Sequence, residues 1–289
     1  DNDGDLDILV GEDSGSASRG RIYWYENDGA TNPNFTLAAT FDDGFNVVHS
    51  SRFVDLDNDG DLDIVAATQN NSKSIIWYEN DGADNPSFNQ GVIATISQSS
   101  GNHPYRISYG DFDDDGDVDI LSASVYADHI KIFENDGADN PSFTEKTIEN
   151  NLDGATPVQF ADIDSDGDLD VIGGGYFADQ IKWYANDGKA NSTFTSNVIG
   201  SNIDGPVELK TGDIDNDGDL DIISVSQNDD KLVWFESDVA SNNDTAIMAQ
   251  VGDDYASTSG TLTFSPGETS KTFTVTVAED LIPENNESV

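Results

Sequence analysis

Asp55-Leu56-Asp57-Asn58-Asp59-Gly60-Asp61-Leu62-Asp63, followed at once by the apolar run Ile64-Val65-Ala66-Ala67, is the stretch from which the rest of the chain can be read. The pattern Asp-x-Asp-x-Asp-Gly-Asp-x-Asp returns as Asp111 to Asp119, Asp162 to Asp170 and Asp213 to Asp221. The chain also opens inside a copy, because Asp1-Asn2-Asp3-Gly4-Asp5-Leu6-Asp7 matches Asp57 to Asp63. Five carboxylates in nine residues repel one another and do not pack together without a cation between them. Oxygen donors at alternate positions, with a Gly for the sharp turn, are what a Ca²⁺ loop requires.

The motif has a fixed phase in a longer repeat. Its last Asp falls at 7, 63, 119, 170 and 221, a period of about 50 residues that marks a repeat architecture. A second signature keeps step with it. It reads Trp24-Tyr25-Glu26-Asn27-Asp28-Gly29, then Trp77-Tyr78-Glu79-Asn80-Asp81-Gly82, Phe133-Glu134-Asn135-Asp136-Gly137 and Trp183-Tyr184-Ala185-Asn186-Asp187-Gly188, and fades at Trp234-Phe235-Glu236. In the third repeat, Arg106 to Tyr109 leads into the Asp loop and Ile120 to Val125 leaves it. Ile130 to Glu134 then alternates apolar and polar residues, and Phe143 to Ile148 follows the Asn-Asp-Gly turn. No segment sustains a 3.6-residue period, so the class is all-β. Four strands per repeat with an aromatic mark is the pattern of a β-propeller blade.

Composition fits a folded chain of this kind. The 289 residues suffice for one large β domain or two ordinary ones, and 36% hydrophobic content supplies a core. Fifty-seven acidic residues against 12 basic ones give a net charge of −45. Twenty-four of the acids stand at the alternating Asp positions of the five loops, and five bound Ca²⁺ would leave about −35. The folded form is therefore expected to respond to chelation and to ionic strength. A surface of this sign makes nucleic acid and anionic membranes poor partners. Cysteine is absent, so disulfides are not the stabilising device, and calcium is their natural substitute outside a cell. No apolar stretch approaches the ~20 residues of a membrane helix. The sequence begins inside a motif without an initiator Met and reads as an excerpt of a longer protein.

The strand, DxDxDGDxD loop, strand unit with its following aromatic resembles the FG-GAP/VCBS repeat, the blade of integrin-α-like propellers, over residues 1–238. The resemblance implies five blades, the first lacking its innermost strand. It also implies a seven-bladed whole, with about two blades upstream of Asp1. In that family the Asp loop joins the innermost strand of a blade to the second.

From residue 239 the composition shifts. Ala240-Ser241-Asn242-Asn243-Asp244 reads as a linker, and the alternating runs on either side of Ser265-Pro266-Gly267-Glu268 read as a β-hairpin. Residues 239–289 resemble part of a Calx-β sandwich, including the acidic tail Asp280, Glu284 and Glu287.

Within each loop, positions 1, 3 and 5 are expected to give side-chain oxygens, position 7 a backbone carbonyl and position 9 a carboxylate. In the second repeat these are Asp55, Asp57, Asp59, Asp61 and Asp63. The same positions are Asp111, Asp113, Asp115, Asp117 and Asp119 in the third, and Asp162, Asp164, Asp166, Asp168 and Asp170 in the fourth. They are Asp213, Asp215, Asp217, Asp219 and Asp221 in the fifth, with Asp1, Asp3, Asp5 and Asp7 in the partial first. About one Ca²⁺ per loop, four to five in total, is expected. Leu62 and its equivalents are expected to point into the blade. An EF-hand needs an acid at position 12, where Ala66, Ser122, Gly173 and Ser224 stand. Magnesium keeps its waters and is disfavoured. The rival to a metal loop is a merely solvated acidic turn.

Trp24, Trp77, Trp183 and Trp234 recur at one phase, which favours packing between blades over sugar stacking. Asn-Asp-Gly is read as tight-turn chemistry. His49, His103, His129, Arg52, Arg106, Tyr126, Tyr176 and Phe177 map to the loop face opposite the Asp loops. They do not recur at matching positions, so scattered surface residues are the preferred account. No nucleophile motif appears, and no catalytic residue is assigned.

These readings lead to a calcium-binding extracellular or cell-surface module, of bacterial style, for adhesion or for binding a protein or carbohydrate ligand. The alternatives are the propeller of a secreted polysaccharide-degrading enzyme such as a lyase, and a spacer in a large surface protein.

Overall fold

The computed structural model describes residues 1, 3–12, 20–69, 74–83, 86–94, 103–189, 192–238, 247–248, 255–256 and 276–277. Every ordered element among them is a strand. The first sheet pairs β1 (Ile8–Gly11), β2 (Gly20–Asn27) and β3 (Phe35–Phe45). The second runs β4 (Val47–Val54), β5 (Asp63–Gln69), β6 (Ile75–Asn80) and β7 (Phe88–Ala94). The third runs β8 (Arg106–Gly110), β9 (Asp119–Ser124), β10 (His129–Asn135) and β11 (Phe143–Glu149), within a residue of the bounds read from the sequence. The fourth runs β12 (Ala155–Ala161), β13 (Asp170–Gly175), β14 (Gln180–Asn186) and β15 (Phe194–Ser201), and the fifth β16 (Pro206–Gly212), β17 (Asp221–Ser226) and β18 (Lys231–Phe235). Each sheet is an antiparallel meander in chain order, so these are β-propeller blades, three-stranded in the first and fifth among the described residues.

The core lies between blades rather than within them. Four clusters of buried apolar side chains each draw on two successive sheets. Ile64 and Ala66 of β5 join the first blade's Ile22 and Trp24, while Val65 and Ala67, one residue out of phase, join the third blade's Ile107 and Ile120. Both faces of the second strand are thus covered. That is why β9 and β13 are buried at every position and, after the leading Asp, carry only apolar or small residues rather than a polar–apolar alternation. The outermost strand has no such neighbour, and β11 is correspondingly rich in Thr, Glu and Lys and exposed.

Position 8 of the Asp loop packs inward, as the sequence suggested, at Val118, Leu169 and Leu220 but not at Leu6 or Leu62. Leu62 is 48% exposed, whereas Leu169 packs on the cluster between the third and fourth blades and Leu220 on the one between the fourth and fifth. The reason is the neighbour: Leu169 covers the end of the preceding blade's innermost strand, near Gly110, and the first sheet offers Leu62 no such strand among the described residues. The buried apolar loop residue is instead position 2. Leu56, Phe112 and Ile163 are each at most 2% exposed and reach toward the following blade.

Beyond the fifth blade, β19 (Ser237–Asp238) pairs with β20 (Ile247–Met248), and β21 (Tyr255–Ala256) pairs antiparallel with β22 (Thr276–Val277). The last pairing matches Tyr255 with Val277 and Ala256 with Thr276. The expected linker, hairpin tip and acidic tail lie outside the described residues.

If burial between blades carries the fold, truncation there must cost far more than truncation on an outer strand. Ile130→Ala, at a fully buried position of β10, should lower unfolding free energy by about 2–5 kcal/mol. Val198→Ala, half exposed on β15, should change it by less than about 0.5 kcal/mol. Denaturant titration of both variants measures the difference.

Candidate metal centre

Each Asp loop joins an innermost strand to the second strand of its blade, as in the link from Val54 to Asp63. Local chemistry shapes it. In the second loop the Gly60 N–H donates to Asp55 Oδ2 at 3.1 Å and the Asp61 N–H donates to Asp59 Oδ1 at 2.9 Å. Position 4, occupied by Asn58, Asp114, Ser165 and Asn216, adopts positive φ, as does the Gly two residues later. These turns curl the chain until side-chain oxygens that alternate along it face one point.

Four such foci form. Oxygens of Asp55, Asp57 and Asp59 lie within 4.8 Å of one another, as do those of Asp111, Asp113 and Asp115, and of Asp213, Asp215 and Asp217. In the fourth repeat the group is Asp162, Asp164 and Asp170, so position 9 turns in with positions 1 and 3. No comparable group forms among Asp1, Asp3, Asp5 and Asp7 in the described residues. The carboxylates are crowded, largely part-buried in the second, third and fourth repeats and exposed in the fifth. Oδ1 of Asp55, Asp57, Asp113 and Asp164 is sealed from solvent and meets no hydrogen-bond donor. Burial, and then the charges of neighbouring carboxylates, raise Asp57 and Asp113 above the usual Asp range and push Asp164 up to about 6. Buried anionic oxygens with no donor are costly unless a cation meets them. The donor set is all oxygen, as a hard divalent cation such as Ca²⁺ demands.

Position 9 has a second task. Asp63, Asp119, Asp170 and Asp221 are fully buried. One oxygen of each accepts the N–H of position 2, with distances of 3.0–3.1 Å to Leu56, Phe112, Ile163 and Ile214. The other accepts a backbone N–H from the second signature, at 2.7–2.9 Å, from Asn80, Asn135, Asn186 and Ser237. Burial outweighs these bonds, raising Asp63 to about 6 and Asp119 and Asp170 to about 7.

The second signature is therefore a clamp on the loop, a role that aromatic and turn chemistry alone did not reveal. Trp24 donates its indole N–H to Asp7 Oδ2 at 2.8 Å. Trp77 and Trp183 are equally buried and face Asp63 and Asp170, short of full hydrogen-bond alignment. Trp24, Trp77 and Trp183 pack in the clusters between blades, as the sequence suggested. Asn135 Nδ2 donates to Val118 O of its own loop at 3.1 Å and to Leu56 O of the preceding blade at 2.8 Å. Asn186 does the same with Leu169 O and Phe112 O. Gly82, Gly137 and Gly188 of the Asn-Asp-Gly turns hold φ near +60°, and any Cβ there would collide with the position-7 carboxylate of Asp61, Asp117 or Asp168. The turn Asp itself caps the loop that follows: Asp81 Oδ2 accepts the Ser87 hydroxyl at 2.5 Å and Oδ1 the Ser87 N–H at 3.0 Å, and these bonds hold Asp81 below the usual range. Successive Asp loops also touch, since Asn58 Nδ2 donates to Asp117 Oδ1 at 2.6 Å. The sequence carried signs of all this in the apolar position 2 of four loops and the Asn fixed in the second signature.

The opposite face corrects one expectation. His49 and His103 are not scattered: their rings stack with centroids 4.9 Å apart, and Tyr105 lies 4.5 Å from His49. His103 is buried, which lowers its pKa. Arg106 sits over the Tyr105 ring at 5.1 Å and donates to His49 O at 3.1 Å. His129, at the start of β10, lies beside Lys131 and Asp128 instead. Tyr176 and Phe177 pack edge to face in the fourth blade's hairpin loop.

The FG-GAP-like repeat is matched over residues 1–66, 55–122, 111–173 and 165–224. A Calx-beta domain is matched over 216–289, reaching back across β17 and β18. No curated protein sequence matches. A crystal structure of a protein from Lactobacillus plantarum is similar with a TM-score of 0.54 and 16% identity, over 80% of this chain and 67% of that one. That likeness concerns the fold. An Agrocybe aegerita lectin that recognises non-reducing terminal N-acetylglucosamine aligns with a TM-score of 0.41 and 14% identity, over 84% of this chain and 79% of that one.

Two outcomes test the site. Asn186→Ala strips donors from two buried carbonyls and should cost about 2–4 kcal/mol of stability. Asn186→Asp, of the same shape but unable to donate, should cost at least as much. The second outcome concerns pH. Asp63, Asp119 and Asp170 have pKa values of about 6 to 7 in the fold, against 3.8 ordinarily, so the metal-free fold binds more protons than the unfolded chain between those limits. Its stability should therefore fall as pH rises from about 4 to about 7. Melting in chelator across that range checks the sign.

Proposed function

Because the chain belongs to the FG-GAP-like repeat family, with a Calx-beta domain after the repeats, we propose that it is a calcium-stabilised β-propeller module of an extracellular or cell-surface protein, serving adhesion or ligand binding. One observation carries the calcium reading: three carboxylates converge in each of four loops, and buried Oδ1 atoms of Asp55, Asp57, Asp113 and Asp164 meet no donor. In this reading positions 1, 3 and 5 of each loop hold the ion, position 7 adds its carbonyl, and position 9 contributes while anchoring the loop to the second signature. Calcium supplies charge neutralisation and no chemistry. A partner of protein or carbohydrate nature meets the face opposite the Asp loops. The boundary after residue 238 fits the clamp, since Ser237 still serves Asp221.

A second reading, the propeller of a polysaccharide-degrading enzyme, draws support from the stacked His49 and His103, which bring two imidazoles and Arg106 together from two blades. Release of unsaturated or reducing ends from acidic polysaccharides would support it, and unchanged activity in the His49→Ala variant would end it.

Calcium binding to the folded state alone must raise stability. A site held at 100 times its Kd adds about 2.7 kcal/mol. Thermal melting should rise clearly with Ca²⁺ over chelator and little with Mg²⁺. Asp113→Ala should remove roughly one site's share of that rise. An unchanged Tm in chelator would refute structural calcium.

A further inference from the structure

The innermost strands β4, β8, β12 and β16 show the two-residue alternation of any strand, and their alternate side chains wall two adjoining cavities of about 270 and 320 Å³. Counting back from the first Asp of each loop, one tier lies three residues before it: Arg52, Ser108, Gln159 and Lys210. The next lies five residues before it: Ser50, Arg106, Pro157 and Glu208. The first blade adds Leu9 and Gly11 of β1 on the same cavity as Glu208. Walls from several blades make this an axial space. Arg52 and Arg106 belong to it rather than to the rim loops where the sequence placed them.

Its charge runs against the rest of the molecule. The chain carries 57 acids and 12 bases, and a cation in such company normally finds a carboxylate. Arg21, Lys131, Lys182, Lys189 and Lys231 each pair with one. Lys210 pairs with Glu208 at 2.8 Å. Arg52 and Arg106 do not pair among the described residues. Arg52 donates to Ser51 O at 2.8 Å, and Arg106 to His49 O and Tyr105 O. Two guanidinium groups thus line both cavities with no protein carboxylate on them. Side-chain hydroxyls and an amide from Ser50, Ser108 and Gln159 stand around them. A guanidinium with N–H groups left over for a ligand is the side chain best matched to an incoming carboxylate. The polar wall suits a ligand with hydroxyls on every side rather than an apolar peptide or lipid.

We propose that the axial cavity between Arg52 and Arg106 binds the carboxylate of an acidic saccharide, one uronic-acid unit with its hydroxyls against Ser108 and Gln159. The proposal rests on the ligand-binding reading of the module and not on calcium. A cavity of this size with a few convergent polar groups is in the range of a small-ligand site.

Titration calorimetry of the full chain with D-glucuronate, D-glucose and acetate, in Ca²⁺ and again in chelator, tests it. Glucuronate should bind saturably, with affinity falling as salt rises. Glucose should bind at least roughly tenfold more weakly, because it lacks the charge the arginines await. Acetate should also be weaker by roughly tenfold, because it lacks the hydroxyls. Arg52→Gln and Arg106→Gln should each weaken glucuronate roughly tenfold. Glu208→Gln, which removes the one acid from the cavity wall, should tighten it severalfold, a gain that misfolding cannot imitate. No saturable glucuronate binding, or equal binding by the double Arg variant, overturns the proposal. Equal affinity for acetate overturns the saccharide assignment. A Tm that still rises with Ca²⁺ in a chain that binds no glucuronate would sink this site while leaving the calcium module standing. A Tm indifferent to Ca²⁺ with glucuronate bound would do the reverse.

Discussion

The buried carboxylate at the ninth loop position is the constraint on which the blades depend. Asp63, Asp119, Asp170 and Asp221 each lie fully inside the protein, between an N–H from their own loop and an N–H from the third strand or the residues just after it. A charge in that place is unfavourable by itself, as the raised pKa values of Asp63, Asp119 and Asp170 record. It is tolerable because two backbone donors meet it and because the open side of the loop gathers oxygens suited to a divalent ion. The arrangement makes loop, second strand and third strand a single unit. Breaking one member leaves a buried charge without its donors.

Units of this kind are not self-sufficient. A four-stranded sheet whose second strand is apolar on both faces must be covered on both sides. The four core clusters do this by drawing on successive blades. Magnitudes separate the roles. Burying an Ile or Leu side chain is worth about 1.5–3 kcal/mol, so the many such residues between blades supply most of the stability. A hydrogen bond such as that from Asn135 to Leu56 O nets about 1 kcal/mol. Its contribution is register: it fixes the height at which one Asp loop meets the next, as does Asn58 with Asp117.

Charge is sorted by the same geometry. Acids collect in the loops at one end of the blades, where they face one another across small foci. The alternation of the innermost strands turns Arg52, Arg106 and Lys210 inward, away from those loops. The stacked His49 and His103 border this axial space at the other end, with Arg106 bonded to the His49 carbonyl. A chain of strongly negative charge thereby keeps one small cavity with a mainly basic lining.

The sequence by itself determined the class, the repeat, the four strands of a blade and the convergence of three Asp side chains in four of the five loops. All of these are local: a period of two in the strands, a Gly turn, and carboxylates spaced so that a curled backbone brings them together. It also placed Trp24, Trp77 and Trp183 in the core, because their fixed phase has no other simple cause, whereas Trp234 of the fifth blade is only part-buried. The tertiary structure alone decided which loop residue is buried. Position 2 reaches the following blade and position 8 the preceding one, so Leu56 is covered while Leu62 is half exposed for want of a neighbour. It alone paired the Asn of the second signature with a carbonyl of another repeat, and gathered His49 with His103 and Arg52 with Arg106 from positions that do not align between repeats. Such contacts depend on how one blade sits against the next. That depends on the summed packing of whole sheets rather than on any stretch of sequence.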